Sequence, residues 1–122
     1  MKYLILIYLN EQSRAIWEGF SDDQRAAGLQ VYAALNEELA ASGELIMTER
    51  LADPSLTRWV PGRDAGSTTD GPFAEAKEQI AGFYLVHCDS TERALEIAGR
   101  IPETPGGYVQ VRPVMDRHGL EM

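Results

Sequence analysis

Thr69-Asp70-Gly71-Pro72-Phe73-Ala74-Glu75-Ala76-Lys77-Glu78 runs without a break into Gln79-Ile80-Ala81-Gly82-Phe83-Tyr84-Leu85-Val86-His87-Cys88. The second half of this stretch decides the fold. It is a strand by propensity, and strict alternation puts Ile80, Tyr84 and Val86 on one side and Ala81, Phe83 and Leu85 on the other. A strand that is apolar on both sides belongs in the middle of a sheet covered on both faces. Lys2-Tyr3-Leu4-Ile5-Leu6-Ile7-Tyr8-Leu9 has the same character.

Working outward, Asn10 to Phe20 reads as a polar connection in which Ile16, Trp17 and Phe20 are the anchors. Ser21-Asp22-Asp23-Gln24 matches a capping box, so a helix is predicted from about Asp22 to Ser42, with Gly43 ending it in the left-handed region. Leu29, Tyr32, Leu35 and Leu39 form its predicted buried stripe. Glu44 to Leu51 reads as a strand stopped by Asp53-Pro54, and Thr57 to Thr69 as a hairpin with a Gly/Pro-rich tip. Beyond Cys88, Asp89 or Ser90 caps a second helix that runs to about Arg100 and buries Ala94, Leu95, Ile97, Ala98 and Ile101. Pro105-Gly106-Gly107 is a turn, Tyr108 to Val114 the last strand, and residues 115–122 a loose tail.

The order is β-α-β, a hairpin insertion, then β-α-β, which predicts an α+β, ferredoxin-like βαββαβ sandwich with two helices on one face of an antiparallel sheet. Two helices cover only one face. The apolar second faces of the strands at Lys2–Leu9 and Gln79–Cys88 must therefore be covered by something else. The expected cover is a second copy related by a two-fold axis, giving a homodimer; the alternative is the hairpin at Thr57–Thr69 folding back.

The 122 residues fit one domain, and the hydrophobic share of 44% is ordinary for a globular chain. Eleven basic against nineteen acidic residues give a net charge of −8 without a basic cluster, which excludes a nucleic-acid face. The apolar run Tyr3 to Leu9 is too short for a membrane span and has no cleavage site after it. The single cysteine, Cys88, fits a reducing cytoplasm and reads as a buried structural thiol.

Asp70-Gly71-Pro72-Phe73 has two readings. In one it is only a turn: Asp accepts bonds from turn amides, Gly and Pro shape the backbone, and Phe plugs the core. In the other, Asp70, Glu75, Lys77 and Glu78 gather at one mouth of the fold and bind a polar ligand, the acids being tuned for proton transfer by their neighbours. Tyr32 likewise is either core or a hydroxyl directed into a cavity. Trp17 and Trp59 either rim that cavity or pack.

The chain resembles the DGPF-domain proteins of the YCII-related superfamily. The resemblance rests on Lys2-Tyr3-Leu4-Ile5-Leu6-Ile7-Tyr8, on Tyr32 with Asn36-Glu37-Glu38-Leu39 and Gly43, on Thr69 to Glu78, on Gly82-Phe83-Tyr84, and on Val111-Arg112-Pro113-Val114. It covers nearly the whole chain and implies a dimeric α+β barrel. It also implies an accessory or regulatory role, since members are often encoded beside, or fused to, extracytoplasmic-function sigma factors. Enzymes of the wider superfamily use a His–Asp pair. Here the His position falls on Tyr32 and the Asp position near Ile101, before Pro102, so that dyad is absent.

No cofactor is expected: there is no Gly-rich phosphate loop, and no nucleophile elbow. His87, His118 and Cys88 lack metal-site spacing, and His87 reads as a structural strand residue. Three functions remain, two of which need a pocket. One is a small-molecule-binding accessory dimer with its site at Asp70, Glu75, Lys77 and Glu78. The other is a metal-independent enzyme acting on a small organic substrate, with Asp70 or Glu78 as acid/base and Tyr32 as orienter. A scaffold for a sigma factor, needing no pocket, is third.

Overall fold

The two strands that read as apolar on both faces are neighbours at the centre of one sheet. In the computed structural model, which describes residues 1–62, 79–102 and 108–116, β1 (Lys2–Leu9) pairs antiparallel with β3 (Gln79–His87). β4 (Tyr108–Pro113) adds to the free edge of β1, and β2 (Leu45–Arg50) to that of β3, both antiparallel. The spatial order is β2-β3-β1-β4. With α1 (Glu11–Glu18), α2 (Asp22–Ser42) and α3 (Thr91–Gly99), this is an α+β fold of a four-stranded antiparallel sheet and three helices, in βαββαβ-like order.

Local chemistry sets the ends of α2. Ser21 Oγ accepts from the Gln24 N–H at 3.1 Å and Gln24 Oε1 accepts from the Ser21 N–H at 2.8 Å, closing the capping box. Gly43 stops the helix at φ 82°. For α3 the cap is Ser90, whose hydroxyl accepts from the Arg93 N–H at 3.1 Å. The core lies between the helices and one face of the sheet: Tyr3, Ile5 and Ile7 of β1 and Tyr84 and Val86 of β3 meet Leu35 and Leu39 of α2 and Ala94 and Ile97 of α3. The Tyr3 hydroxyl reaches Thr91 Oγ1 at 2.9 Å, so burying this tyrosine leaves no orphaned polar atom.

The structure departs from expectation in five places. Glu11–Glu18 is a helix, not a polar connection, because Asn10 caps it with its side chain. The predicted α2 stripe is buried only at Leu35 and Leu39; Leu29 is exposed and Tyr32 half-buried, since the N-terminal half of α2 stands off the sheet over α1. Leu95 faces solvent. In β3 a bulge between Ile7 and Tyr8 on the partner strand moves the register from Gly82 to Ile80, which breaks the alternation. Ile80 therefore leaves the face of Tyr84 and is exposed, while Ala81 joins the helix side. Finally, Pro54–Leu56 is a single 3₁₀ turn and residues 57–62 form no strand; the rest of the predicted hairpin lies outside the described residues, as does the Pro105-Gly106-Gly107 turn.

All three helices lie on the Tyr3–Ile5–Ile7 side. The opposite face carries Leu4, Leu6, Phe83 and Leu85, each only half-buried, with Met47 of β2 more exposed beside them. This is the apolar second face inferred from the alternation.

One clamp ties three elements together. Glu44, directly after the Gly43 cap, accepts from Arg93 of α3 through both oxygens, Nε to Oε2 at 2.9 Å and Nη2 to Oε1 at 2.8 Å. Arg93 also reaches Glu96 at 2.6 Å. The Arg93 hydrogen bonds hold the Glu44 carboxyl down at about 2, against 4.5 ordinarily, with burial opposing and a Ser42 bond assisting.

Two outcomes follow from these contacts. A Cβ at Gly43 would meet nothing within 4 Å, so Gly43→Ala costs only the strain of the left-handed backbone. Urea denaturation should show a loss of about 1 kcal/mol. The folded pKa of Glu44 lies below its unfolded value, so the clamp's contribution is complete above about pH 4.5 and is lost as pH falls toward about 2. Glu44→Gln should lower stability by about 1–2 kcal/mol at neutral pH, and the gap to wild type should close in denaturation series stepped down through that window.

Candidate functional site

Helix α1 exists because β1 ends in a cap. The Asn10 carboxamide oxygen accepts from the Ser13 N–H at 2.8 Å and from the Ser13 hydroxyl at 2.9 Å, which turns the chain back along the sheet. At its far end Arg25 of α2 donates to the Glu18 carbonyl at 2.6 Å and to the Trp17 carbonyl at 3.3 Å. The Trp17 ring lies against Gly28, where even an added Cβ would sit 3.5 Å from it, and meets Phe20 edge-on at 5.9 Å and 62°. α1 is thus strapped to α2 but buries none of its own residues.

Between α1, the N-terminal half of α2 and the sheet lies a cavity of about 790 Å³. It exists where α2 stands away from the strands, which is why Leu29 and Tyr32 are not buried. Its floor is Tyr84, 1% exposed, whose hydroxyl donates to Asn36 Oδ1. That bond commits the amide oxygen and leaves Asn36 Nδ2 as a donor at the cavity wall, without a protein partner among the described residues. The Tyr32 ring stacks on Tyr84, with centroids 6.5 Å apart and planes 11° from parallel. Apolar contributions come from Ile7, Ile16, Trp17, Phe20, Leu29 and Leu51.

Charge enters from two sides. Arg14 of α1 is half-buried, Arg50 ends β2, and neither pairs with a carboxylate among the described residues. Arg50 stands opposite Gly82, which a side chain could not replace: an added Cβ would lie 2.9 Å from the Glu49 carbonyl oxygen. The close approach of β2 to β3 that this glycine allows brings Arg50 to the wall. Thr48, also on the wall, is committed through its hydroxyl to the Phe83 carbonyl at 3.0 Å. An apolar, aromatic cavity with a few convergent polar groups is the usual form of a small-molecule site.

Of the residues singled out in the sequence, Tyr32 lines this cavity, while Asp70, Glu75, Lys77 and Glu78 lie outside the described residues. Trp17 lines it and Trp59 does not. Ile101 is buried in the core, and its neighbour Pro102 touches the cavity. Sequence reasoning missed Arg14 and Arg50, for which isolated cations in polar stretches offer no signal, and singled out Asn36 and Tyr84 as residues of the resemblance, Tyr84 also as a strand residue, without giving either a site role. His87 lies on the exposed end of β3, its Nε2 3.3 Å from the N-terminal nitrogen. Cys88 is a buried free thiol whose pKa burial raises. Among the described residues no cluster of three or more His, Cys, Asp or Glu could hold a metal ion, and no helix is long and apolar enough to cross a membrane.

The whole chain has relatives. It is 34% identical over 120 residues to an uncharacterised protein of Rhizobium meliloti (strain 1021), with 93% of this chain and 92% of that one covered. The family model for the YCII-related domain matches residues 1–118, which takes in every strand and helix described above. The chain belongs to the YCII-related domain family.

Proposed function

We propose that this YCII-related protein is a small-molecule-binding accessory or regulatory protein, built as a ferredoxin-like sandwich that pairs through its open sheet face into a dimeric α+β barrel. The observation that carries the binding reading is the cavity over Tyr84, with Asn36 Nδ2, Arg14 and Arg50 at its wall and no internal partner consuming those donors among the described residues. Support for pairing comes from Leu4, Leu6, Phe83 and Leu85, an apolar row that none of the described helices covers. The family resemblance extends the reading to an extracytoplasmic-function sigma factor as the protein partner, with Asp70, Glu75, Lys77 and Glu78 shaping the polar end of the site.

A second reading is favoured by one observation. Tyr32 is stacked on Tyr84 at the cavity, so a metal-independent acid/base enzyme with Asp70 or Glu78 as acid/base and Tyr32 as orienter, without the superfamily's His–Asp pair, would use the same cavity.

Two measurements test these readings. In a thermal-shift screen of metabolites, a ligand at about a hundred times its Kd adds about 2.7 kcal/mol and raises the melting temperature by on the order of 10 °C. The shift should appear in wild type and vanish in Tyr84→Phe and Asp70→Asn. A hit retained by Asp70→Asn alone removes the Asp70 cluster from the site, and turnover of the hit decides for the enzyme. Sedimentation should show a dimer for wild type and a folded monomer for Leu85→Asp; a monomeric wild type would remove the barrel.

A further inference from the structure

Four of the ten aromatic residues, Trp17, Phe20, Tyr32 and Tyr84, line one cavity. Their arrangement is not that of a closed core. Tyr32 and Tyr84 are stacked within 11° of parallel, Trp17 and Phe20 meet edge-on, and Phe20 and Leu29 remain well exposed although both belong to the cavity wall. Flat apolar walls left unfilled in water are matched by a flat apolar body.

Among the described residues, the arginines at the wall have no ion-pair partner. Arg14 and Arg50 contribute two guanidinium groups. Of the two glutamates on the lining, Glu49 pairs in register with Phe83, on the side of the sheet away from the helices, and makes no ion pair with either arginine. Glu18 is exposed at the end of α1 and makes no ion pair with either arginine. Asp53, which accepts from the Ser55 N–H at 2.9 Å, lies within the field of Arg14 and offsets part of its charge, without forming an ion pair with it. Asn36 Nδ2 adds a third donor from the floor. Among the described residues, Arg14 and Arg50 are therefore cations at the wall that form no ion pair, on a lining that mixes apolar and aromatic side chains with Ser13, Gln24 and Thr48, and a guanidinium fork fits a carboxylate better than any neutral group.

Resting on the reading of this cavity as a ligand site, we propose that its ligand class is an aromatic carboxylic acid: the ring lies along Trp17 and Tyr32, and the carboxylate is held by Arg50 or Arg14 with Asn36. The class differs from cationic or neutral aromatic compounds only in the charged end, and the test turns on that difference.

Three probes of one shape separate the outcomes by calorimetry on the full chain: 2-naphthoate, 2-naphthalenemethanol and 2-(aminomethyl)naphthalene. The expected result is binding of the naphthoate at least tenfold tighter than the alcohol, with the amine weakest. Arg50→Gln and Arg14→Gln are measured singly, and at least one should cut naphthoate affinity about tenfold while leaving the alcohol unchanged, a split that mere loss of packing would not produce. If the three probes bind alike, or both variants leave naphthoate affinity unchanged, the carboxylate assignment falls and the cavity reading stands. If none of the three binds, both fall.

Discussion

A strand that is apolar on both sides has to be covered twice, and β1 and β3 impose that constraint on everything around them. Their helix-side residues, Tyr3, Ile5, Ile7, Tyr84 and Val86, require α2 and α3 above them. Their other-side residues, Leu4, Leu6, Phe83 and Leu85, are half-buried, and none of the described helices lies over them. The antiparallel pairing of the two strands holds both sets in register at once, so neither face can be adjusted without the other. Burying five large side chains on the helix side contributes on the order of 10 kcal/mol before chain entropy is counted, enough to dictate where the helices go.

The cavity is a by-product of where that constraint stops. Up to Ile7 the pairing is regular and the space above it is filled by α2; past Ile7 the bulge shifts β3, and Gly82, where the β2 backbone leaves no room for a Cβ, puts no side chain into the layer. Beyond that point α2 has no large strand residue to pack on and stands off. α1, held by Asn10 at one end and Arg25 at the other, closes the gap from the side. Tyr84 marks the boundary: its ring belongs to the core, and its hydroxyl orients the Asn36 amide at the cavity wall.

Much of this was legible from residues that act locally. Ser21 with Gln24, Gly43 and Ser90 are caps whose partners lie within a few positions, so the ends of α2 and the start of α3 could be read without knowledge of the fold. The alternation in β1 and β3 was legible for the same reason, and so was the uncovered face. What could not be read depends on distant partners. α1 is two turns long and its cap resembles any loop asparagine; only Gly28 and Arg25, on another helix, make it stable. The bulge is invisible in β3 because it arises from the register against β1. Arg14 and Arg50 looked like ordinary surface cations until the sheet and α1 placed both on one cavity. The Asp70 segment was conspicuous in sequence and lies outside the described residues, so the signal strongest to the eye bears least on the geometry in hand.

The cavity has walls of unequal strength. Its floor is cut from the central strands, whose amides are released only when the sheet itself comes apart, whereas α1 buries none of its residues and is held by its cap, by Trp17 and by two bonds from Arg25. Hydrogen exchange through α1 is therefore expected by local opening at a small fraction of the global free energy, and exchange through β1 and β3 is not. A molecule bound in the cavity would then register first as slowed exchange along Glu11–Glu18, the helix that buries none of its residues.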